Sequence, residues 1–448
     1  MTATPFDESG ILADARAIDG LADFGDEGFV EPLRVLLASL AEAPLHGLGS
    51  SILRGGVVRG LANRLRIQYW FERHPEIADE RIEAPLVVVG MMRSGTTLMQ
   101  RLLASDPRHT CTLGWEALEP APRISADPSE PDPRIAVAEA REAQARSFAP
   151  EIFAIHPSYA HKAEEEIMFL ADAFLSHVPE ASCDLPGYRA WLDDQDFTSA
   201  YAYLYRTLQL LQWQKKRRGE AFERWVLKTP AHLGYLGNLF ETFDGVHVIH
   251  MHRDPLETIP SGASLNTALW RMHADEVDPA RVGHQWIERM AWTNRRALAA
   301  REAIPGAERR FTDVRFRSAV ADPLAQAQRI YDAVGIPFSE EARAAMSGWI
   351  QEDEGEKLPK HRYAAEDFGL SEALIREEFA EYSARFLHSE DGKARRTYVA
   401  SHRYPRAARA RTPGARTGRA PDHQEGLRSR SRSLARSHGS EPSHARLF

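Results

Sequence analysis

Cysteine is nearly missing from this chain: Cys111 and Cys183 are the only two in 448 residues. Two thiols cannot form the disulfide framework of a small secreted domain, and neither has a second thiol at metal-ligand spacing. A reducing, cytoplasmic setting is the expectation. Long apolar runs are missing as well, since none approaches the roughly 20 residues that cross a bilayer. The start, Met1-Thr-Ala-Thr-Pro-Phe-Asp-Glu8, lacks the basic and then apolar regions of a secretory signal, so the sequence reads as that of a soluble protein. There is no surplus of positive charge either. A formal net charge of −8 argues against nucleic acid as a specific partner, because gripping a phosphate backbone takes a broad excess of Lys and Arg. Any anion bound here must be held by cations focused locally. No internal repeat of solenoid period is visible.

What is present is an apolar content of 43%, ample for a buried core. Residues 1–80 place Phe29, Leu33, Leu36, Leu37 and Leu40, then Val57, Leu61, Leu65 and Tyr69, at helical spacing, which predicts packing helices. Over 81–400, the β-branched runs Pro85–Gly90, Trp225–Lys228 and Val246–His250 read as strands separated by helical stretches. That alternation predicts an α/β fold with a parallel sheet. Within it, about 120–220 forms a helical insertion that includes Glu164–Leu175 and Ala200–Leu211, with side chains that pack on the sheet or line a pocket. The run Lys215-Lys-Arg-Arg218 reads as a solvated loop. In 404–448, arginine recurs among Ser, Pro, Gly and Ala; such a tail cannot bury enough apolar area to offset its ordering entropy and is expected to be disordered.

Gly90-Met-Met-Arg-Ser-Gly-Thr-Thr97 lies between a predicted strand and a predicted helix, Thr96–Ser105. Two glycines five apart let the backbone turn tightly with its N–H groups inward, and the helix N-terminus adds a favourable potential for an anion. The spacing matches a nucleotide-triphosphate loop, but Thr96 stands where that loop has lysine. The positive group is Arg93 instead, and no strand-terminal acid offers to hold Mg²⁺ against Thr97, so no metal is expected. Further on, Arg253 ends a strand, Asp254-Pro255 turns the chain, and Ser261 follows on the next helix; guanidinium and hydroxyl therefore meet at the mouth of the sheet. Lys228 also sits at a strand's carboxyl end, where ligands of open α/β sheets gather. His250 and His252 share a strand face but have no third ligand in sequence, and read as packing residues.

Together these motifs resemble the PAPS-dependent sulfotransferases (PAPS is 3′-phosphoadenosine-5′-phosphosulfate), particularly the bacterial group that shares features with protein-tyrosine sulfotransferases. The family's loop reads much like Pro-Arg-Ser-Gly-Thr-Thr, and this chain has Met92 where proline is usual. The resemblance covers most of Ile11–Phe386. It implies a three-layer P-loop fold with a central parallel sheet, and PAPS as co-substrate. It implies that the Gly90 loop, through Arg93, Ser94, Gly95, Thr96 and Thr97, holds the 5′-phosphosulfate, and that Arg253 and Ser261 hold the 3′-phosphate. Lys228 corresponds to a lysine beside the transferring sulfuryl group. Gly355–Tyr363 resembles a late loop closing over the nucleotide, with Lys360, His361 and Arg362 as donor contacts. Glu116, within Thr112–Leu118, corresponds to the base glutamate of tyrosine-sulfating relatives; His156, with the better resting pKa, is the rival base. The resemblance also implies an acceptor that is a hydroxyl of a small or lipid-like molecule, compatible with peripheral membrane contact. Two other classes remain open: a kinase or NTPase using the same loop, and a non-catalytic binder acting through the basic tail.

Overall fold

The computed structural model describes residues 5–125, 130–355 and 363–388. At its centre is a parallel five-stranded sheet in the order β2-β3-β1-β4-β5, where β1 is Leu86–Gly90, β2 His109–Thr110, β3 Arg224–Lys228, β4 His247–His252 and β5 Phe311–Arg315. β1 consists of Leu-Val-Val-Val-Gly and is buried along its whole length. Its alternation sends Leu86 and Val88 into one apolar cluster, with Leu102 and Leu103 of the helix Thr96–Ala104, and Val87 and Val89 into the other. The sheet is therefore covered on both faces, giving three layers, and each such side chain contributes roughly 1.5–3 kcal/mol.

From β1 the chain goes to β2 and β3 on one side, then returns to add β4 and β5 on the other. Connections thus diverge at the carboxyl end of β1, which is where open α/β sheets bind their ligands. On the second apolar cluster lie the helices Glu8–Asp19, Val30–Glu42 and Gly47–Arg73, through Ile11, Leu33, Leu36, Leu37, Leu40, Leu61 and Leu65. The insertion before β3 is helical, as expected, and ends in the helix Thr198–Arg217.

The structure departs from the sequence reading in three places. β2 and β5 were not anticipated: β2 has two residues, and β5 is an edge strand whose Asp313 is exposed, so neither shows a β-branched run. The helix expected over Glu164–Leu175 spans only Ile167–Asp172. Its first residues are held extended instead, by an antiparallel bridge between Leu113 and Ala163 and by the Glu164 N–H donating to the Thr112 carbonyl at 2.8 Å. Lys215 is not in a solvated loop but on the last turns of the helix Thr198–Arg217, 1% exposed. No helix among the described residues is long and apolar enough to cross a membrane. Lys360, His361, Arg362 and the tail 404–448 lie outside the described residues.

Candidate active site

The corner between β1 and the helix Thr96–Ala104 is built from unusual backbone. Gly90 has φ 153°, and a Cβ there would lie 2.6 Å from the Met251 carbonyl oxygen and 2.6 Å from Ser94 Oγ. Gly95 has φ 93°, and its Cβ would meet the Phe316 ring at 2.5 Å. Both positions therefore require glycine. Between them Arg93 adopts φ 72°, a left-handed conformation that costs a non-glycine residue on the order of 1–3 kcal/mol. The loop's other polar group is as telling. Ser94 is fully buried, yet its hydroxyl has no hydrogen-bond partner among the described residues. An orphaned hydroxyl beside the free N–H groups of a helix N-terminus fits an anion's oxygens.

β4 runs beside β1 in the register Gly90↔Met251, which brings the second motif onto this corner. Arg93 Nε donates to Ser261 Oγ at 3.1 Å, and Arg253 donates through a terminal nitrogen to the Arg93 carbonyl at 2.9 Å. Asp254 caps the helix Pro255–Arg271 by accepting from Leu256 N–H at 3.0 Å, so Ser261 is carried on a fixed helix. Arg253 also lies over the Phe316 ring at 4.2 Å and pairs with Glu257 at 2.8 Å. Burial, and next to it the like charge of Arg253, make Arg93 a weaker base than usual, with Tyr363 acting the other way. Two guanidiniums forced together out of water favour a nearby anion.

Lys228 ends β3, paired with β1 in the register Val88↔Lys228, and is 1% exposed. Its ammonium is hydrogen-bonded to Glu165. Burial opposes ionisation of Glu165, but Lys228 foremost, then His156 and the Thr229 hydroxyl, outweigh it and hold the carboxyl below its ordinary range. The neighbouring Glu166 turns the other way. One of its oxygens accepts from the Lys228 backbone N–H at 3.0 Å, and the other meets His232 Nε2 at 2.8 Å, whose Nδ1 is 2.7 Å from the Tyr201 hydroxyl. His156 itself is exposed.

Residues 85–340 match the model of the Sulfotransferase family. The chain belongs to the sulfotransferase family. Among solved sulfotransferases it is similar to STF1 of Mycobacterium tuberculosis H37Rv, at 31% identity and TM-score 0.73, covering 84% of this chain and 98% of that one. It is also similar to STF9 of Mycobacterium avium, at 25% identity and TM-score 0.76, covering 86% and 97%. The omega-hydroxy-beta-dihydromenaquinone-9 sulfotransferase Stf3 of Mycobacterium bovis is 27% identical over 271 residues, 57% of this chain and 63% of that protein. The chain thus spans less than two thirds of the length of the curated relatives it matches.

Of the residues singled out from sequence, the fold gathers Gly90, Arg93, Ser94, Gly95, Thr96 and Thr97 with Arg253 and Ser261. It links Lys228 to the neighbourhood of His156 through Glu165. Glu116 is corrected. It is wholly buried, with one oxygen 2.9 Å from Lys215 Nζ and 3.0 Å from the Leu113 N–H that donates to it, and the other accepting from Arg218 at 3.0 Å. That carboxylate is held by three donors, two of them from the end of the helix Thr198–Arg217, and is sealed from solvent, away from Lys228 and the glycine-bent corner. Glu165, Glu166 and His232 were missed. Glu164-Glu-Glu166 looks like the charged start of a helix, and only the bridge to Leu113 turns it toward Lys228. His250 and His252 do gain a third partner, Asp313, with ligand atoms all within 4.8 Å. However, Arg301 donates to the two Asp313 oxygens at 2.6 and 3.0 Å and to His250 Nδ1 at 3.0 Å, so a guanidinium already serves as the cation of that cluster.

Proposed function

We propose that this sulfotransferase transfers a sulfuryl group from PAPS to a hydroxyl of a lipid-like or small-molecule acceptor. One observation carries the reading: the Arg93–Ser261 and Arg253–Arg93 hydrogen bonds, at 3.1 and 2.9 Å, join the glycine-bent corner to the Arg253 turn. A nucleotide with phosphates at both its 5′ and 3′ positions needs two anion sites so joined. In this reading the Gly90–Thr97 corner binds the 5′-phosphosulfate and Arg253 with Ser261 binds the 3′-phosphate. PAPS supplies the activated sulfuryl group. Arg93 and Lys228 stabilise the negative charge that builds on the leaving bisphosphate, the largest lever available to such a site. Thr96 in place of a loop lysine favours this donor over Mg-ATP. The acceptor in the name of the Stf3 relative, a hydroxylated menaquinone derivative, favours a hydroxyl on an apolar carrier. Two buried thiols, each pushed up to about 12 by burial, suit a cytoplasmic setting.

Calorimetry on the full chain tests the donor. Adenosine 3′,5′-bisphosphate should bind with EDTA present and more tightly than Mg-ATP, whereas a preference for Mg-ATP would move the chain to the kinase reading. Arg253→Ala should weaken the bisphosphate by about 1.5–3 kcal/mol, the worth of charged hydrogen bonds. An unchanged dissociation constant would leave Arg253 a structural residue.

A further inference from the structure

A sulfotransferase step must dispose of the acceptor's proton, and Glu116, sealed from solvent and paired with Lys215 and Arg218, is not placed to take it. Glu165 does. It is bonded to Lys228 and Thr229, feels the charge of exposed His156, and keeps 13% of its side chain accessible. Its placement is set from below. Tyr201, His232 and Glu166 are all fully buried, and burial keeps the Tyr201 phenol protonated. With that phenol donating to His232 Nδ1, His232 must donate from Nε2 to Glu166, which therefore works as a fixed acceptor for the Lys228 backbone. The pinned Glu166 leaves its neighbour Glu165 facing the Lys228 ammonium.

Resting on the sulfuryl-transfer reading above, we propose that Glu165 is the base for the acceptor hydroxyl and that Lys228 releases it when the donor binds. In the step, the acceptor oxygen forms a bond to sulfur, and the bond from sulfur to the bridging phosphate oxygen breaks, its electron pair leaving on the bisphosphate. The hydroxyl proton ends on a Glu165 oxygen and then passes to solvent. The negative charge of the bound phosphosulfate, which grows on the bridging oxygen as the bond breaks, draws the Lys228 ammonium away from Glu165. The attraction that kept Glu165 ionised then weakens while its burial remains, so its proton affinity rises as the acceptor proton comes free. Glu166, His232 and Tyr201 are positioning residues for both partners.

The test needs no acceptor. PAPS binding to the full chain is followed by calorimetry near pH 6 in two buffers of different ionisation enthalpy. Wild type should take up a fraction of a proton on binding, and Glu165→Gln should abolish that uptake while changing the PAPS dissociation constant less than about 10-fold, short of one full charged contact. Absence of uptake in wild type overturns the exchange. Uptake that survives Glu165→Gln but disappears in His156→Ala assigns the base to His156. Failure of wild type to bind PAPS at all instead removes the donor reading. In turnover of labelled PAPS with farnesol as the acceptor probe, Glu165→Gln should lower kcat by about 10²- to 10⁴-fold with little change in the KM for PAPS. Unchanged kcat would overturn the assignment. Tyr201→Phe should lower kcat and reduce the Glu165-dependent proton uptake while PAPS still binds, and a variant that keeps both kcat and uptake would deny Tyr201 a positioning role.

Discussion

Two glutamate–lysine pairs, Glu116 with Lys215 and Glu165 with Lys228, use the same residue types for different ends. Glu116 is held by Lys215, Arg218 and a backbone N–H, and the carboxylate is fully out of solvent. Glu165 instead keeps some access, lies beside exposed His156, and is paired with a lysine at the carboxyl end of a central strand. A closed pair can only hold structure together, because any charge removed from it leaves another stranded in low dielectric. An open pair can change partners. Asp172 shows a third condition: buried, hydrogen-bonded to Asn63 at 2.8 Å, with no cation at ion-pair distance among the described residues.

The largest expected effect is on the closed pair. Glu116→Ala should lower unfolding free energy by about 3–5 kcal/mol in urea titration, since it strands the Lys215 charge. Turnover per folded molecule should stay close to normal, and a variant that is stable but inactive would return Glu116 to the chemistry. Lys228→Ala should do the reverse, cutting kcat on the order of 10²- to 10³-fold, as for removal of one preorganised electrostatic donor. A kcat loss below about threefold would class Lys228 with Lys215, because a donor aimed at developing charge is worth far more than that.

Asp172 sharpens the contrast through pH. Burial first, opposed by Asn63, Arg59 and Arg64, raises its pKa to about 6. A raised acid favours the folded state below its unfolded pKa of about 3.9, and that stability is lost as pH climbs through the folded value. Asp172→Asn should therefore stabilise the protein at pH 7 by up to about 2–3 kcal/mol and hardly at all at pH 4, by urea midpoints. Equal gains at both pH values would mean the carboxyl is not neutral-preferring. The smallest effect concerns Ser94, whose buried hydroxyl lacks a partner among the described residues. Ser94→Ala should leave the melting temperature unchanged or slightly higher, yet weaken bisphosphate binding by about 0.5–1.5 kcal/mol. Loss of stability with intact binding would make the orphan hydroxyl a packing feature.

The glycine-bent corner was readable because its chemistry is local. Gly90 and Gly95 are dictated by backbone angles within one turn, and a β-branched run before them with a helix pattern after them announces strand, loop and helix. Arg253 and Ser261 were readable for the same reason, as the residue after a strand end and one on the second turn of the helix that follows, eight residues apart. The acid side of the site was not. Glu116 sits in a segment that resembles a base-bearing one, yet the side chains that hold it, Lys215 and Arg218, come from about a hundred residues later.

By itself, then, the sequence determined the parallel α/β core, the glycine-bent corner and the arginine turn, since periodicity, glycine angles and strand-to-helix junctions act over a few residues. Only the tertiary structure decided which glutamate faces Lys228 and which is sealed against Lys215. Ion pairing between buried charges depends on distances set by packing of remote segments, here the Leu113–Ala163 bridge and the end of the helix Thr198–Arg217, and no spacing along the chain encodes them.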